Sequence, residues 1–184
     1  MLDELWYLAD EASQRAEQAY HRIEERHRDF LEFTHRRSVS RPRFRTLAER
    51  IERTGAPYGS HTVVYRDSGE LLLVRHEDVD RWVVPGGQQR DGESFREAAE
   101  RELAEEAGVE ADYRGLAYLT RMELHCDDHH LLGVMPVYEA RALTVETEVA
   151  DPEGEISAAR WFDTLPEDTR DRADLLAWRD RMLG

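Results

Sequence analysis

The chain has 184 residues, 40 of them acidic and 25 basic, for a formal net charge of -15. That length holds one ordinary domain plus an extension and can bury a real core. The charge disfavours nonspecific binding to nucleic acid or anionic membranes, so an anionic substrate would need a local positive centre. Every basic residue apart from His is Arg, and Lys is absent. An acidic, lysine-free surface fits high salt, where counterions screen self-repulsion, and suggests a halophile with a GC-rich genome. Cys126 is the only cysteine, which excludes an internal disulfide. The opening "MLDELWYLADEA" lacks the basic start of a signal peptide, and no apolar run reaches membrane-spanning length. A cytoplasmic location with no membrane or stable nucleic-acid partner is therefore expected.

The first predicted element is a long helix. Leu5, Leu8, Ala12, Ala16, Ala19, Ile23, Phe30 and Leu31 recur at helical spacing with charges between them. This pattern breaks near "THRRSVSRP". Ser40 then caps a second helix, with Pro42 in its first turn and Phe44, Leu47, Ala48 and Ile51 on one face. Gly55 and Pro57 stop it. These elements predict an α-helical N-terminal extension over residues 1–56. The apolar stripe of its first helix must bury against its own chain or in a homodimer interface.

From His61 the texture becomes that of strands. "HTVVYR" and "ELLLVRH" flank the turn "DSG", which predicts a hairpin, and "RWVVPGG" is a short strand ending in glycines. Residues 94–107 read as a helix, with Ser94 and Glu97 as a capping box and Gly108 as the stop. "YRGLAYLTRMEL" and "HLLGVMPVYEARAL" are further strands around a His-rich acidic loop. "ISAARWFD" is another strand, and residues 170–182 form a last helix. Residues 57–184 thus read as one mixed α/β domain.

On a wheel of about 100° per residue, Phe95, Ala99, Leu103 and Ala107 form the apolar side of the helix over 94–107. Glu97 and Glu100 point away from it. Glu106 projects between Phe95 and Ala99, Glu102 lies beside Phe95, and Glu105 follows Glu102 at i+3. Like charges at this spacing repel, and partly buried carboxylates cost more. Either their pKa values rise or a cation compensates them. Hard oxygen ligands on a rigid helix suit Mg2+ or Mn2+. The glycines just before the helix allow close backbone approach, so the carbonyl of Gly86 or Gly87 can join the coordination.

Gly87, Glu93, Arg101, Glu102, Leu103, Glu105, Glu106, Gly108 and Val109 stand at every defined position of the Nudix box. The chain resembles the Nudix hydrolase family, in a haloarchaeal-type version with an N-terminal extension. "WVVPGG" and "EISAARWF" are similar to strands of that family in their expected order, so the resemblance spans roughly residues 58–165. It implies an α/β/α sandwich with a mixed β-sheet. It also implies hydrolysis of the diphosphate bond in a nucleoside diphosphate derivative, a small-molecule substrate, and a commonly homodimeric enzyme. By resemblance Glu102, Glu105 and Glu106 hold Mg2+ or Mn2+, while Arg101 and Glu93 support the loop–helix–loop geometry. The family does not fix the general base, for which Glu102, Glu153 and Glu155 are candidates. For Glu153 and Glu155 a solvated loop in an acid-rich protein is an equal reading.

Markers of the family's subclasses are absent. Neither the Pro of many ADP-ribose pyrophosphatases nor the Tyr of diadenosine polyphosphate hydrolases occurs past the box, and the coenzyme A pyrophosphatase pattern is missing. ADP-ribose-like sugars and nucleoside triphosphates stay open as substrates. The alternative class is a non-catalytic nucleotide-binding sensor on the same fold, which usually loses box glutamates.

Other features read more simply. "HCDDHH" has the residue types of a Zn2+ or Ni2+ site but lacks separated ligand pairs, and is expected to be a loop tip. Cys126 is a bystander, Trp82 and Trp161 are expected in the core, and Arg66, Arg75 and Arg121 on the surface. The Arg-rich stretch from Arg36 to Arg53 pairs with acidic neighbours or reaches over the site.

Overall fold

The computed structural model describes residues 3–184. In chain order its elements are α1 (Glu4–Arg26), β1 (Leu31–Ser38), α2 (Arg41–Thr54), β2 (Ser60–Tyr65), β3 (Leu71–His76), β4 (Arg81–Val83) and β5 (Gly86–Gly87). They continue with α3 (Phe95–Ala107), β6 (Ala111–Cys126), β7 (His129–Ala142), β8 (Ile156–Phe162) and α4 (Arg172–Leu183). The chain forms two compact units. One comprises the described residues up to Gly59 together with Tyr118–Pro136; the other comprises Ser60–Ala117 and Val137–Gly184.

In the first unit, Asp3 caps α1 by accepting the Leu5 N–H at 3.1 Å. The alanine-rich stripe Leu5, Ala9, Ala12 and Ala16 packs with Phe44, Leu47, Ala48 and Ile51 of α2 and with Leu124, Cys126 and Leu131. Small side chains let the backbones approach: a Cβ on Gly55 would sit 2.7 Å from the Ala19 Cβ. The stripe is thus covered within its own chain and does not by itself call for a second copy. α2 matches its predicted signals, with the Ser40 hydroxyl on the Arg43 N–H and Gly55 at φ 91 closing the last turn.

The expected helix through Phe30 and Leu31 is corrected. α1 ends at Arg26, His27 is extended and Asp29 turns at φ 60. The next residues form β1, which pairs in parallel with β6 from Leu31↔Tyr118 to Ser38↔His125. Phe30 and Leu31 fit the helical spacing by coincidence; a ladder to a strand far along the chain outweighs that local pattern. The extension expected to be α-helical over 1–56 therefore contains a strand. Moreover, the unit that includes it also takes in Tyr118–Pro136.

In the second unit β2 pairs in parallel with β7 (His61↔Val137 to Tyr65↔Arg141) and antiparallel with β3 at the predicted hairpin. β3 also pairs with β4 and, antiparallel, with β8, where the register shifts between Arg75 and His76. This is a mixed sheet. Val64, Leu72 and Val74 meet Leu103 and Ala107 of α3. Tyr65, the strand neighbour of Val64, faces Trp178 of α4 with ring centroids 5.7 Å apart. Because adjacent strand residues point to opposite faces, α3 and α4 flank the sheet from its two sides. Among the described residues no helix is long and apolar enough to cross a membrane.

Candidate functional site

β5 and α3 bring the box together in the second unit. Gly86 and Gly87 pair with His61 and Ser60 of β2, and the Ser60 hydroxyl donates to the Phe95 carbonyl at 2.5 Å, tying the start of α3 to the same strand. The Ser94 hydroxyl accepts the Glu97 N–H at 3.1 Å, one half of the predicted capping box. Gly108 adopts φ 67, and a Cβ there would lie 2.9 Å from the Glu148 carbonyl oxygen.

Arg101 knits the loop to the helix. Its Nε and Nη2 donate to the two oxygens of Glu93 at 2.7 and 2.9 Å, and Nη2 also reaches the Gln88 carbonyl at 3.0 Å. Nη1 donates to Glu102 at 2.8 Å and to Glu105 at 3.2 Å. The bidentate pair holds Glu93 below its usual carboxylate range. Glu93 in turn accepts the Arg90 N–H at 2.7 Å, and the Arg90 side chain touches Glu105 at 3.3 Å.

The carboxylates separate as the wheel requires. Glu97 and Glu100 are exposed and Glu105 is half-buried, whereas Glu102 and Glu106 are 8% and 5% exposed. Burial raises the Glu102 pKa even though Arg101 opposes it. Glu106 has no such help. Its Oε2 accepts the Gly86 N–H at 3.1 Å, and among the described residues no basic side chain pairs with it. Desolvation, with Glu102, Asp151 and Glu155 adding repulsion, pushes its pKa up to about 9. Gly87 leaves the space beside these groups open, since a Cβ there would stand 2.6 Å from Glu102 Oε1. Buried oxygen donors, a surplus of negative charge and backbone stripped of side chains fit a hard divalent cation.

Glu153 and Glu155 arrive on the loop before β8. The Glu148 and Ala150 N–H groups donate to the Ala107 and Glu105 carbonyls at the end of α3, at 2.8 and 2.9 Å. These are acceptors that a helix end leaves without intrahelical partners. Asp151 then folds the loop by accepting the N–H groups of Glu153, Glu155 and Ile156 at 3.1, 2.7 and 3.0 Å. Glu155 meets His76 Nε2 at 3.3 Å. Glu153 is exposed, yet its charge contributes to raising Glu102. The reading from sequence missed Asp151, His76 and His61. "DPEG" carries the turn chemistry that marks Asp151, but nothing local marks the histidines. His61 packs against Gly86, and burial pushes its pKa down to about 3.

The other candidates lie elsewhere or are engaged. Trp82 and Trp161 are half-buried, Trp161 packing against the core beneath α3, and their outer faces are covered: Arg75 and Arg160 lie over Trp82, and Arg66 over Trp161. Strand alternation brings these side chains to partly open positions where a guanidinium can cover the ring. Arg75 is held by Asp80 and Asp168, and Arg121 stacks on Tyr20 at 4.5 Å. In the Arg-rich stretch, Arg36 pairs with Glu123 and Arg41 with Asp3.

The NUDIX domain model matches residues 57–179. A Bacillus subtilis (strain 168) protein named "Putative 8-oxo-dGTP diphosphatase" is 37% identical over 90 residues, 48% of this chain and 60% of its own length. Nudix hydrolase 5 of Arabidopsis thaliana is 32% identical over 110 residues, 56% of this chain. The chain spans 60% and 35% of the lengths of these two relatives. The crystal structure of a MutT NUDIX hydrolase from Burkholderia pseudomallei matches with a TM-score of 0.46 and 29% identity, covering 65% of this chain and 93% of that one. With the family model matched over more than half of its residues, and the box complete within that match, the chain belongs to the Nudix family.

Proposed function

We propose that this protein is a divalent-metal-dependent pyrophosphohydrolase that cleaves the diphosphate bond of a nucleoside diphosphate derivative, an ADP-ribose-like compound or a nucleoside triphosphate, releasing a nucleoside monophosphate. The observation that carries this reading is Glu106, buried beside other acids and without a basic partner among the described residues. In it, Glu102, Glu105 and Glu106 hold Mg2+ or Mn2+, with the Gly86 or Gly87 carbonyl as a further ligand. Held there, a divalent ion would supply charge neutralisation at the diphosphate, an acidified water and stabilisation of the leaving oxygen. Arg101 orients Glu102 and Glu105 while Glu93 fixes Arg101. Of the candidates for general base, Glu155 is the best supported: its Oε2 faces His76 at 3.3 Å, which leaves Oε1 to take the proton of the attacking water. Glu153 and Glu102 are its rivals.

The proposal assigns catalysis to residues 57–184 and an accessory role to 1–56. It takes a small nucleotide as partner, without membrane or stable nucleic-acid attachment, in a cytoplasmic and salt-adapted protein. Sedimentation of the full chain distinguishes a monomer from a homodimer. A panel of ADP-ribose and nucleoside triphosphates, assayed with Mg2+ and Mn2+ in high salt, tests the activity. Glu106→Gln is expected to lower kcat by at least about a hundredfold while leaving the fold intact. Full Mg2+-dependent activity in that variant overturns the metal assignment, and nucleotide binding without turnover in the wild type identifies a sensor instead.

A further inference from the structure

Outside the box, the tip of the β6–β7 hairpin gathers three histidines that the proposed chemistry does not use. β6 ends at Cys126 and β7 begins at His129, with Asp127 and Asp128 as the turn and Asp127 at φ 50. Across a two-residue hairpin loop the strand residues face each other in pairs, so Cys126 opposes His129 and His125 opposes His130. Alternation then sorts the side chains. Leu124, Cys126, His129 and Leu131 are buried, whereas His125 is half-buried and His130 exposed. The inner set is fixed: Leu124, Cys126 and Leu131 belong to the core, and His129 meets Asp3 at 3.3 Å with the Trp6 ring 4.7 Å away. The outer two rings stand with centroids 6.0 Å apart at 46°. Neither imidazole has a hydrogen bond or ion pair with the described residues.

We propose that His125 and His130 form a chelating site for a borderline divalent transition metal of the Zn2+ or Ni2+ kind, separate from the carboxylate site. Imidazole nitrogen binds such ions at about 2.0–2.1 Å, which puts each ring centre roughly 3.2 Å from the metal, and two rings on one ion about 4.5–6.5 Å apart, depending on the ligand–metal–ligand angle. The observed separation of 6.0 Å lies in that range, within reach of a rotation of the side chains. Exposed Asp127 and Asp128 add negative charge at the same tip, and water completes the coordination. The anchored inner face supplies rigidity that two histidines on a mobile loop would lack. What no sequence spacing shows is that the two rings meet across the strands.

Calorimetric titration of Ni2+ into the full chain, with excess Mg2+ to occupy oxygen-ligand sites, tests the proposal. One equivalent is expected to bind. His125→Gln and His130→Gln should each weaken it by at least about tenfold, since even loss of an outer-shell partner costs that much, and circular dichroism checks their fold. Glu106→Gln should bind Ni2+ like the wild type. Wild-type affinity in both histidine variants, or loss of the equivalent in Glu106→Gln alone, overturns the site.

Discussion

Glu106 makes the protein's stability depend on pH in a direction opposite to that of an ordinary paired carboxylate. Its folded pKa of about 9 lies above the usual 4.5, so the metal-free folded state holds a proton that the unfolded state releases. The associated stability is full below the unfolded pKa and is lost as pH rises through the folded one. In EDTA, the melting temperature of the wild type should therefore fall relative to that of Glu106→Gln as pH rises between these two values. Added Mg2+ should offset the loss by binding the folded state; parallel pH curves for the two proteins would contradict this account. Glu155 gives a kinetic prediction. Under the proposed role of Glu155 as general base, Glu155→Gln is expected to lower kcat by about 10²–10⁴-fold with little change in KM. An unchanged kcat moves that role to Glu153 or Glu102.

At the scale of elements, α3 is fixed at both ends. Its Ser94 cap satisfies the Glu97 N–H, and Gly108 provides the left-handed stop against Glu148. Ser94→Ala is expected to cost about 1 kcal/mol, read from denaturant unfolding, with activity retained because α3 is also held by Ser60 and by its apolar face. Both caps were legible beforehand because capping is local chemistry. The same locality explains the error at Phe30 and Leu31. Their spacing suits a helix, but Asp29 turns the chain and β6 offers eight partners in register. A parallel ladder to distant residues leaves no mark in a short window.

On the scale of the whole molecule, charge is the dominant feature. With -15 net and no Lys, much of the surface repels itself, and screening shortens that repulsion from a Debye length of about 10 Å at 0.1 M salt to about 3 Å at 1 M. The melting temperature should rise over that range in KCl; a fall would contradict the salt-adapted reading. Under the proposed function, the same surplus would require a cation in the box before an anionic nucleotide could approach.

The identity and spacing of the box residues, the caps of α2 and α3, and the division of the α3 glutamates into exposed and buried sets were all determined by sequence, because helical periodicity and capping act over a few residues. Tertiary structure alone decided that β1 is a strand, that α1 buries its stripe on α2, and that Asp151 and His76 hold Glu155 near Glu106. It also decided that His125 faces His130. Each of these rests on pairing between residues far apart in the chain or on opposite strands, where the free energy comes from contacts that no local pattern encodes.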